Sequence, residues 1–130
     1  MFEWKKEYET KVDKIDEQHK KLFEIGNRLY ELIKNDLVID KYDKIMDIIV
    51  ELKNYTVFHF QFEENYMMEI GYKKFLSHKV QHDDFIKKFN DIDFKKIDNS
   101  QDKYMLELMN FIYEWIDGHI LGTDMQYVQK

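Results

Sequence analysis

The chain has 130 residues, with 20 Lys and Arg against 26 Asp and Glu, and therefore a formal net charge of −6. This length suits a single domain over residues 1–130, and 44% hydrophobic residues exclude a disordered chain. The acidic balance argues against a nucleic-acid-binding protein, which would carry clustered basic residues. The absence of cysteine excludes disulfides, thiolate catalysis, zinc ribbons and cysteine-bound iron–sulfur clusters.

Neither membrane insertion nor export is indicated. The sequence contains no run of about 18 apolar residues, which a transmembrane helix needs. Residues 1–10 mix charged and aromatic side chains and lack the apolar stretch of a signal peptide. We therefore expect a cytoplasmic protein without a membrane or nucleic-acid partner.

The chain contains no proline and only four glycines, so little interrupts helix formation. Breaks are predicted at Asn35–Asp36, near Gly71, and between Asp91 and Asp102. They separate an N-terminal arm of about 1–12 from helices of about 13–35, 40–69, 73–90 and 101–121. The connections of about 3–10 residues favour an all-α, antiparallel up-down-up-down four-helix bundle. The candidate N-caps are Asp13 or Asp16, Asp40 and Ser100.

Each predicted helix carries core residues at steps of three and four, as in a bundle. In the first helix these are Ile15, His19, Leu22, Gly26, Leu29 and Ile33. In the second they are Ile45, Ile48, Leu52, Tyr55, His59, Phe62 and Tyr66. In the third they are Phe75, His78, His82, Phe85 and Phe89, and in the fourth Tyr104, Leu108, Phe111, Trp115 and His119.

Every histidine of the protein falls on one of these stripes. A single buried histidine is usually a neutral core residue with a hydrogen-bond partner. Five buried imidazoles are different, because each has two ring nitrogens to satisfy and none gains from an apolar core. The sequence therefore predicts that something binds them together.

Carboxylates accompany the histidines at spacings that place them nearby. His59 and Glu63 are separated by four residues, as are His78 and His82, so each pair shares a helix face. Glu63 is preferred over Glu64, which points away from that face. Asp124 follows His119 by five residues, about 140° around an ideal helix, so we expect the helix to end or widen near Gly122. On spacing alone, Asp124 is equally well interpreted as a solvated carboxylate.

This set of side chains favours a dinuclear metal site. Imidazole suits zinc, copper, iron and nickel, and carboxylates shift the preference toward iron or manganese. Five histidines and two carboxylates are too many for one ion but suit two ions that share bridging carboxylates. The Glu-x-x-His pair of carboxylate-rich bundle sites is absent, so a histidine-rich site is expected.

The sequence resembles the hemerythrins, most closely the single-domain prokaryotic, bacteriohemerythrin-like members. The resemblance covers essentially the whole chain, in the order and spacing of the family. The matching residues are Ile15-Asp16-Glu17-Gln18-His19, His59-Phe60 with Glu63-Glu64 and Met67, His78-x3-His82, Trp115-x3-His119-Ile120-x3-Asp124 with Tyr127, and Trp4 and Tyr8 in the arm.

The resemblance implies two non-heme iron ions. One would be held by His78, His82 and His119 and the other by His19 and His59. Glu63, Asp124 and an oxo or hydroxo group would bridge them. The first iron would then have six ligands and the second five, which leaves one position for dioxygen. The expected pocket walls are Leu22, Phe23, Phe60, Phe62 and Trp115.

The implied function is reversible dioxygen binding by a carrier, store or scavenger that is not an enzyme. Two alternatives remain: an oxygen, redox or iron sensor that acts through a protein partner, and a di-iron oxidase. One position departs from better-known members of the family, which often have a bulky aliphatic residue two positions before the bridging aspartate. Gly122 stands there, and the sequence suggests either a wider, wetter pocket or relief of helix strain.

Overall fold

The computed structural model describes residues 2–35, 42–92 and 101–127, with the side chains of 101–103 and 127 excluded. Within these ranges the chain forms four α-helices, α1 (Asp13–Lys34), α2 (Tyr42–Glu69), α3 (Phe75–Asn90) and α4 (Gln101–Gly122). Two short 3-10 helices, Lys6–Tyr8 and Asp124–Tyr127, flank them. These residues contain no strand. None of their helices is both long and apolar enough to cross a bilayer.

The helices pack as the predicted antiparallel four-helix bundle. Helix α1 packs against α2 and α4, and α2 also packs against α3. The turn between α2 and α3 contains Gly71, whose φ of 65° lies in the left-handed region that favours glycine. The amide of Tyr72 donates to the carbonyl of Met67 at 2.9 Å, which closes the C-terminus of α2. The predicted break near Gly71 is confirmed.

The prediction that Asp13 or Asp16 caps α1 is wrong. The N-cap is Val12, which makes no side-chain capping bond. The carboxylate of Asp16 instead accepts hydrogen bonds from the amide and hydroxyl of Thr10, at 2.9 and 2.8 Å. Asp16 therefore binds the arm to the first turn of α1. The predicted caps Asp40 and Ser100 lie outside the described residues.

The core face of α2 and α4 is one residue away from much of the predicted stripe. In α2, Ile49, Thr56 and Met67 are buried, whereas Ile48, Tyr55 and Tyr66 are only half-buried. In α4 the buried side chains include Met105, Met109, Ile112 and Ile116. The apolar stripe of a bundle helix is about 100° wide, so adjacent positions compete for its centre. Here several aromatic side chains, among them Tyr55, Tyr66 and Trp115, cover the edges of the stripe.

The N-terminal arm joins α1 to α4. The Phe2 ring packs on α1 at Gly26, where an added Cβ would lie 2.6 Å from a ring carbon. The Asn27 amide group accepts from the Phe2 amide at 2.8 Å and donates to its carbonyl at 2.7 Å. Farther along the arm, the buried Tyr8 hydroxyl donates to Asp117 of α4. The arm therefore contacts α4, the helix that ends just before Asp124.

Candidate metal centre

All seven predicted site residues lie together in the interior of the bundle, between the four helices and the second 3-10 helix. None is more than 6% exposed. Their nitrogen and oxygen atoms form two groups, each compact enough to surround one ion, and both groups include Glu63 and Asp124. The remaining members are His78, His82 and His119 in the three-histidine half, and His19 and His59 in the two-histidine half.

In the three-histidine half, the Nε2 atoms have the spacing of metal ligands. The Nε2 atom of His119 lies 3.0 Å from that of His78 and 3.0 Å from that of His82. Ligands about 2.1 Å from one metal ion are about 3.0 Å apart at right angles and about 3.4 Å apart in a tetrahedron. The two separations therefore match ligands at right angles, as in octahedral coordination.

The two-histidine half is more open. The Nε2 atom of His19 lies 3.2 Å from Oδ2 of Asp124 and 3.6 Å from Oε2 of Glu63. The Nε2 atom of His59 lies 3.4 Å from the same Glu63 oxygen. This half therefore offers two nitrogens and two oxygens to an ion, whereas the other half offers three nitrogens and two oxygens.

Each carboxylate turns one oxygen toward each half. The Oε1 atom of Glu63 lies 2.9 Å from Nε2 of His78 and 3.0 Å from Nε2 of His82, whereas its Oε2 faces His19 and His59. The Oδ1 atom of Asp124 lies 2.8 Å from Nε2 of His78, whereas its Oδ2 faces His19. This orientation suits a carboxylate that bridges two ions.

Asp124 reaches the site because α4 ends before it. The helix stops at Gly122, and Asp124 opens the following 3-10 helix. The amide of Thr123 still donates to the carbonyl of His119 at 2.8 Å, so the chain leaves α4 with little displacement. The prediction that α4 ends near Gly122 is confirmed. Asp124 is fully buried, so its interpretation as a solvated carboxylate is wrong.

Three polar side chains outside the predicted set orient histidine rings of the site. Gln18 Oε1 lies 2.7 Å from Nδ1 of His59 and Glu64 Oε2 lies 2.9 Å from Nδ1 of His82. Gln81 Oε1 lies 3.0 Å from Nδ1 of the third ring, that of His119. An oxygen acceptor holds the proton on Nδ1, so Nε2 of the neutral ring presents its lone pair to the interior.

Sequence reasoning missed these orienting residues, although a signal was present. Gln18 and Gln81 directly precede a site histidine, and Glu64 directly follows Glu63. Glu64 does point away from the site, as predicted, but it points toward the outer nitrogen of a histidine on the next helix.

Buried charge strongly perturbs the titration of the site. Burial lowers the pKa of His19, but hydrogen bonds and charge from Asp124 and Glu63 outweigh it and raise the pKa to about 9. The pKa of His78 and of His119 rises to about 9 by the same balance. Burial raises the pKa of Glu63, but hydrogen bonds from the surrounding histidines hold it well below its ordinary value. A cation would replace these protons.

The unsatisfied atoms of the site fit a metal better than they fit a hydrogen-bond network. Both ring nitrogens of His19 and both carboxylate oxygens of Asp124 are buried and make no well-aligned hydrogen bond, although Nε2 of His19 lies 3.2 Å from Oδ2 of Asp124. Buried polar atoms without partners are costly, and a shared cation would satisfy them. Imidazole nitrogens with bridging carboxylates are a donor set that suits iron.

A small cavity adjoins the site. Its volume is about 10 Å³, which is room for about one small molecule. Three of the predicted wall residues, Leu22, Phe60 and Trp115, line it. Phe23 and Phe62 do not, and they pack in hydrophobic clusters instead. The wall residues that the sequence did not predict are Thr56, Phe85, Ile116 and Ile120.

The suggestion that Gly122 widens this cavity is wrong. Gly122 is exposed and does not line the cavity, and a Cβ placed on it would meet no atom within 4 Å. Ile120, two residues earlier, is buried. Two residues span about 200° of an α-helix, so Gly122 faces away from the site. Its φ is not in the left-handed region, so relief of backbone strain does not explain it either.

Fold and site together define a helical-bundle protein with a buried histidine- and carboxylate-rich centre suited to a non-heme di-iron site. The family model described as the hemerythrin HHE cation binding domain matches residues 10–130. The chain belongs to the hemerythrin family.

Its relatives support this assignment over the full length. The bacteriohemerythrin of Clostridium acetobutylicum is 56% identical over 128 residues, which cover 98% of this chain and 99% of that protein. The bacteriohemerythrin of Pseudomonas aeruginosa strain LESB58 is 31% identical over 96% of this chain and 78% of that protein. A crystal structure of wild-type hemerythrin superposes with a TM-score of 0.83 at 28% identity, covering 97% of this chain and 94% of that one.

Proposed function

We propose that this protein binds dioxygen reversibly at a centre of two non-heme iron ions. His78, His82 and His119 would hold one iron, and His19 and His59 the other. Glu63, Asp124 and an oxo or hydroxo group would bridge them. Iron, when bound in the ferrous state, supplies the electrons that reversible dioxygen binding requires.

The difference between the two halves supports this assignment. Three histidines, two carboxylate oxygens and the solvent-derived bridge make six ligands for one iron. Two histidines, two carboxylate oxygens and the bridge make five for the other. A metal position with an open coordination site is the mark of a functional rather than a structural ion.

The position of the cavity is the observation that carries the proposal. Its lining includes both histidines of the two-histidine half but only His119 of the three-histidine half. The five-ligand iron would therefore face this small cavity. A cavity of about 10 Å³ is limited to a very small ligand and leaves little room for a larger substrate.

The chemistry of the cavity wall favours binding over catalysis. Apart from the proposed ligands, the lining has the indole of Trp115 and the hydroxyl of Thr56, which already donates to the Leu52 carbonyl at 2.6 Å. The other wall residues are apolar, among them Leu22 and Ile116. Such a wall excludes water and offers no titratable proton donor apart from the proposed ligands, which supports release of a bound molecule unchanged.

Anaerobic reconstitution with ferrous iron, followed by air, tests the proposal. We expect two irons per chain and a near-ultraviolet and visible absorption band that appears with air and disappears under argon through repeated cycles. A single irreversible change with release of peroxide would instead favour a di-iron oxidase. One ion per chain, or zinc after expression in iron-rich medium, would contradict the proposed ligands.

A further inference from the structure

The three orienting side chains follow the order of the bundle. Gln18 of α1 contacts His59 of α2, and Glu64 of α2 contacts His82 of α3. Gln81 of α3 then contacts the last ring, on α4. Each orienting residue is adjacent in sequence to one proposed ligand and holds a ligand on the next helix.

Gln81 differs from the other two because its oxygen has two partners. Its Oε1 atom lies 3.0 Å from Nδ1 of His119 and also accepts a hydrogen bond from the Thr123 hydroxyl at 3.0 Å. Thr123 immediately precedes Asp124, at the point where the chain leaves α4. One carbonyl oxygen on α3 therefore contacts both sides of the break that brings Asp124 into the site.

We propose that Gln81 is a positioning residue for the three-histidine half. It fixes the ring of His119 by accepting its Nδ1 proton, and it fixes the backbone before Asp124 by accepting the Thr123 hydroxyl. This inference rests on the ligand roles proposed above, but it does not depend on whether the centre binds dioxygen.

Gln81 is important because the other contacts that hold the 3-10 helix of Asp124 are local or long. The 3-10 helix that carries Asp124 is also held by Gln126, whose amide donates to the Gly122 carbonyl at 2.7 Å. That bond connects the segment only to the end of α4, and the contacts of Gln126 with Tyr72 and Lys74 are long, at 3.5 and 3.4 Å. Gln81 supplies a shorter connection from α3 to this segment. Its loss should therefore leave His119 free to rotate and Asp124 less constrained.

Iron release from the diferrous protein to a chelator under argon provides the first test. Gln81→Met keeps the length of the side chain and removes the acceptor, whereas Gln81→Glu keeps an acceptor oxygen. We expect Gln81→Met to accelerate the release of one of the two irons by about 10–100-fold, the usual effect of removing such a contact. Gln81→Glu should stay close to wild type.

The matched control is Gln61→Met on α2. Gln61 is also an exposed glutamine, and no hydrogen bond from it to a site histidine occurs within the described part of the chain. Its substitution should leave both release phases unchanged. Gln18→Met is the comparison for the other half, because it removes the acceptor on His59 instead.

The ring protons of the zinc-loaded protein provide a second test that a general loss of stability would not mimic. Proton spectra should show the slowly exchanging Nδ1 protons that the orienting oxygens hold. Gln81→Met should lose one of them and Gln81→Glu should keep it. The proposal is overturned if Gln81→Met releases iron like Gln61→Met, if both irons leave equally faster, or if all the protected ring protons fade together.

Discussion

His119 and Asp124 are five residues apart in sequence, yet Nε2 of one lies 2.9 Å from Oδ1 of the other. An uninterrupted α-helix would separate these side chains by about 140°. The end of α4 at Gly122 and the following 3-10 helix remove that separation. The two residues approach from opposite sides of a helix terminus, so the geometry of the site depends on where α4 stops.

Replacement of His19 should affect the two halves of the centre differently. His19→Ala removes one of only two nitrogens from the proposed oxygen-binding iron, so reversible oxygen binding should be lost. The three-histidine half keeps its nitrogens, and the iron content should fall from two per chain toward one. The free energy of unfolding of the loaded protein should also fall, because metal binding contributes to folding. Metal analysis and oxygen-cycled absorption spectra provide the measurements, and normal oxygenation of the variant would contradict the ligand assignment.

Periodicity was sufficient to place the five histidines and Glu63 on the core faces of the helices, whereas Asp124 joined the predicted set only through the family resemblance. The joint placement of all five histidines on core stripes indicates a site before any fold is known. His59 and Glu63 share a helix face by periodicity alone. Neither prediction depends on how the helices pack against each other.

The orienting residues were not predictable in this way. Gln81 is exposed and looks like an ordinary surface residue, and its partner His119 lies on another helix. Such a contact depends on the rotation of each helix about its axis, which the stripe defines only to within about one residue. The same uncertainty shifted the predicted core of α2 and α4 and placed Gly122 at the site. A position near the edge of a stripe is therefore poorly predicted by spacing.

Substitution of Gly122 should not change oxygen retention. Gly122→Leu adds a side chain that points into open space rather than into the cavity. The lifetime of the oxygenated protein should therefore match that of the wild type. The free energy of unfolding should rise by at most about 0.5–1 kcal/mol, the value for a helix interior, because Gly122 is the last residue of α4. Autoxidation rates at fixed temperature and pH, with urea titrations, test both expectations. A longer oxygenated lifetime in the variant would instead support the wider, wetter pocket that the sequence suggested at Gly122.

Ile116 is the position at which cavity size should matter. It is buried and lines the cavity next to the site. Ile116→Ala should enlarge the cavity, admit water and accelerate autoxidation. It should also lower the free energy of unfolding by about 2–5 kcal/mol, as for other large-to-small core substitutions.

Ile112→Ala is the matched control for that change. Ile112 lies one helical turn earlier on α4, is equally buried, and does not line the cavity. The control should lose similar stability without faster autoxidation. Equal autoxidation rates in the two variants would show that the packing of α4, rather than the cavity wall, determines oxygen retention.

The contact between the arm and α4 should make stability sensitive to alkaline pH. Burial raises the pKa of the Tyr8 hydroxyl above its ordinary value of 10.0, and its hydrogen bond to Asp117 raises it further. The folded state therefore favours the neutral phenol. The stabilisation is fully present below about pH 10, the pKa of an unfolded tyrosine, and is lost as the pH rises toward the higher folded value.

Tyr8→Phe should remove this dependence together with the hydrogen bond. At pH 8 the free energy of unfolding of the variant should be about 1.5–3 kcal/mol lower than that of the wild type. This is the usual contribution of a hydrogen bond to a charged group. Between pH 10 and 11 the difference should shrink, because only the wild type loses stability through this hydroxyl. Urea unfolding at pH 8 and pH 11 provides the measurement, with Tyr30→Phe on α1 as the control for loss of a half-buried tyrosine hydroxyl. A difference that stays constant or widens with pH would show that Tyr8 does not bind Asp117 as a neutral donor.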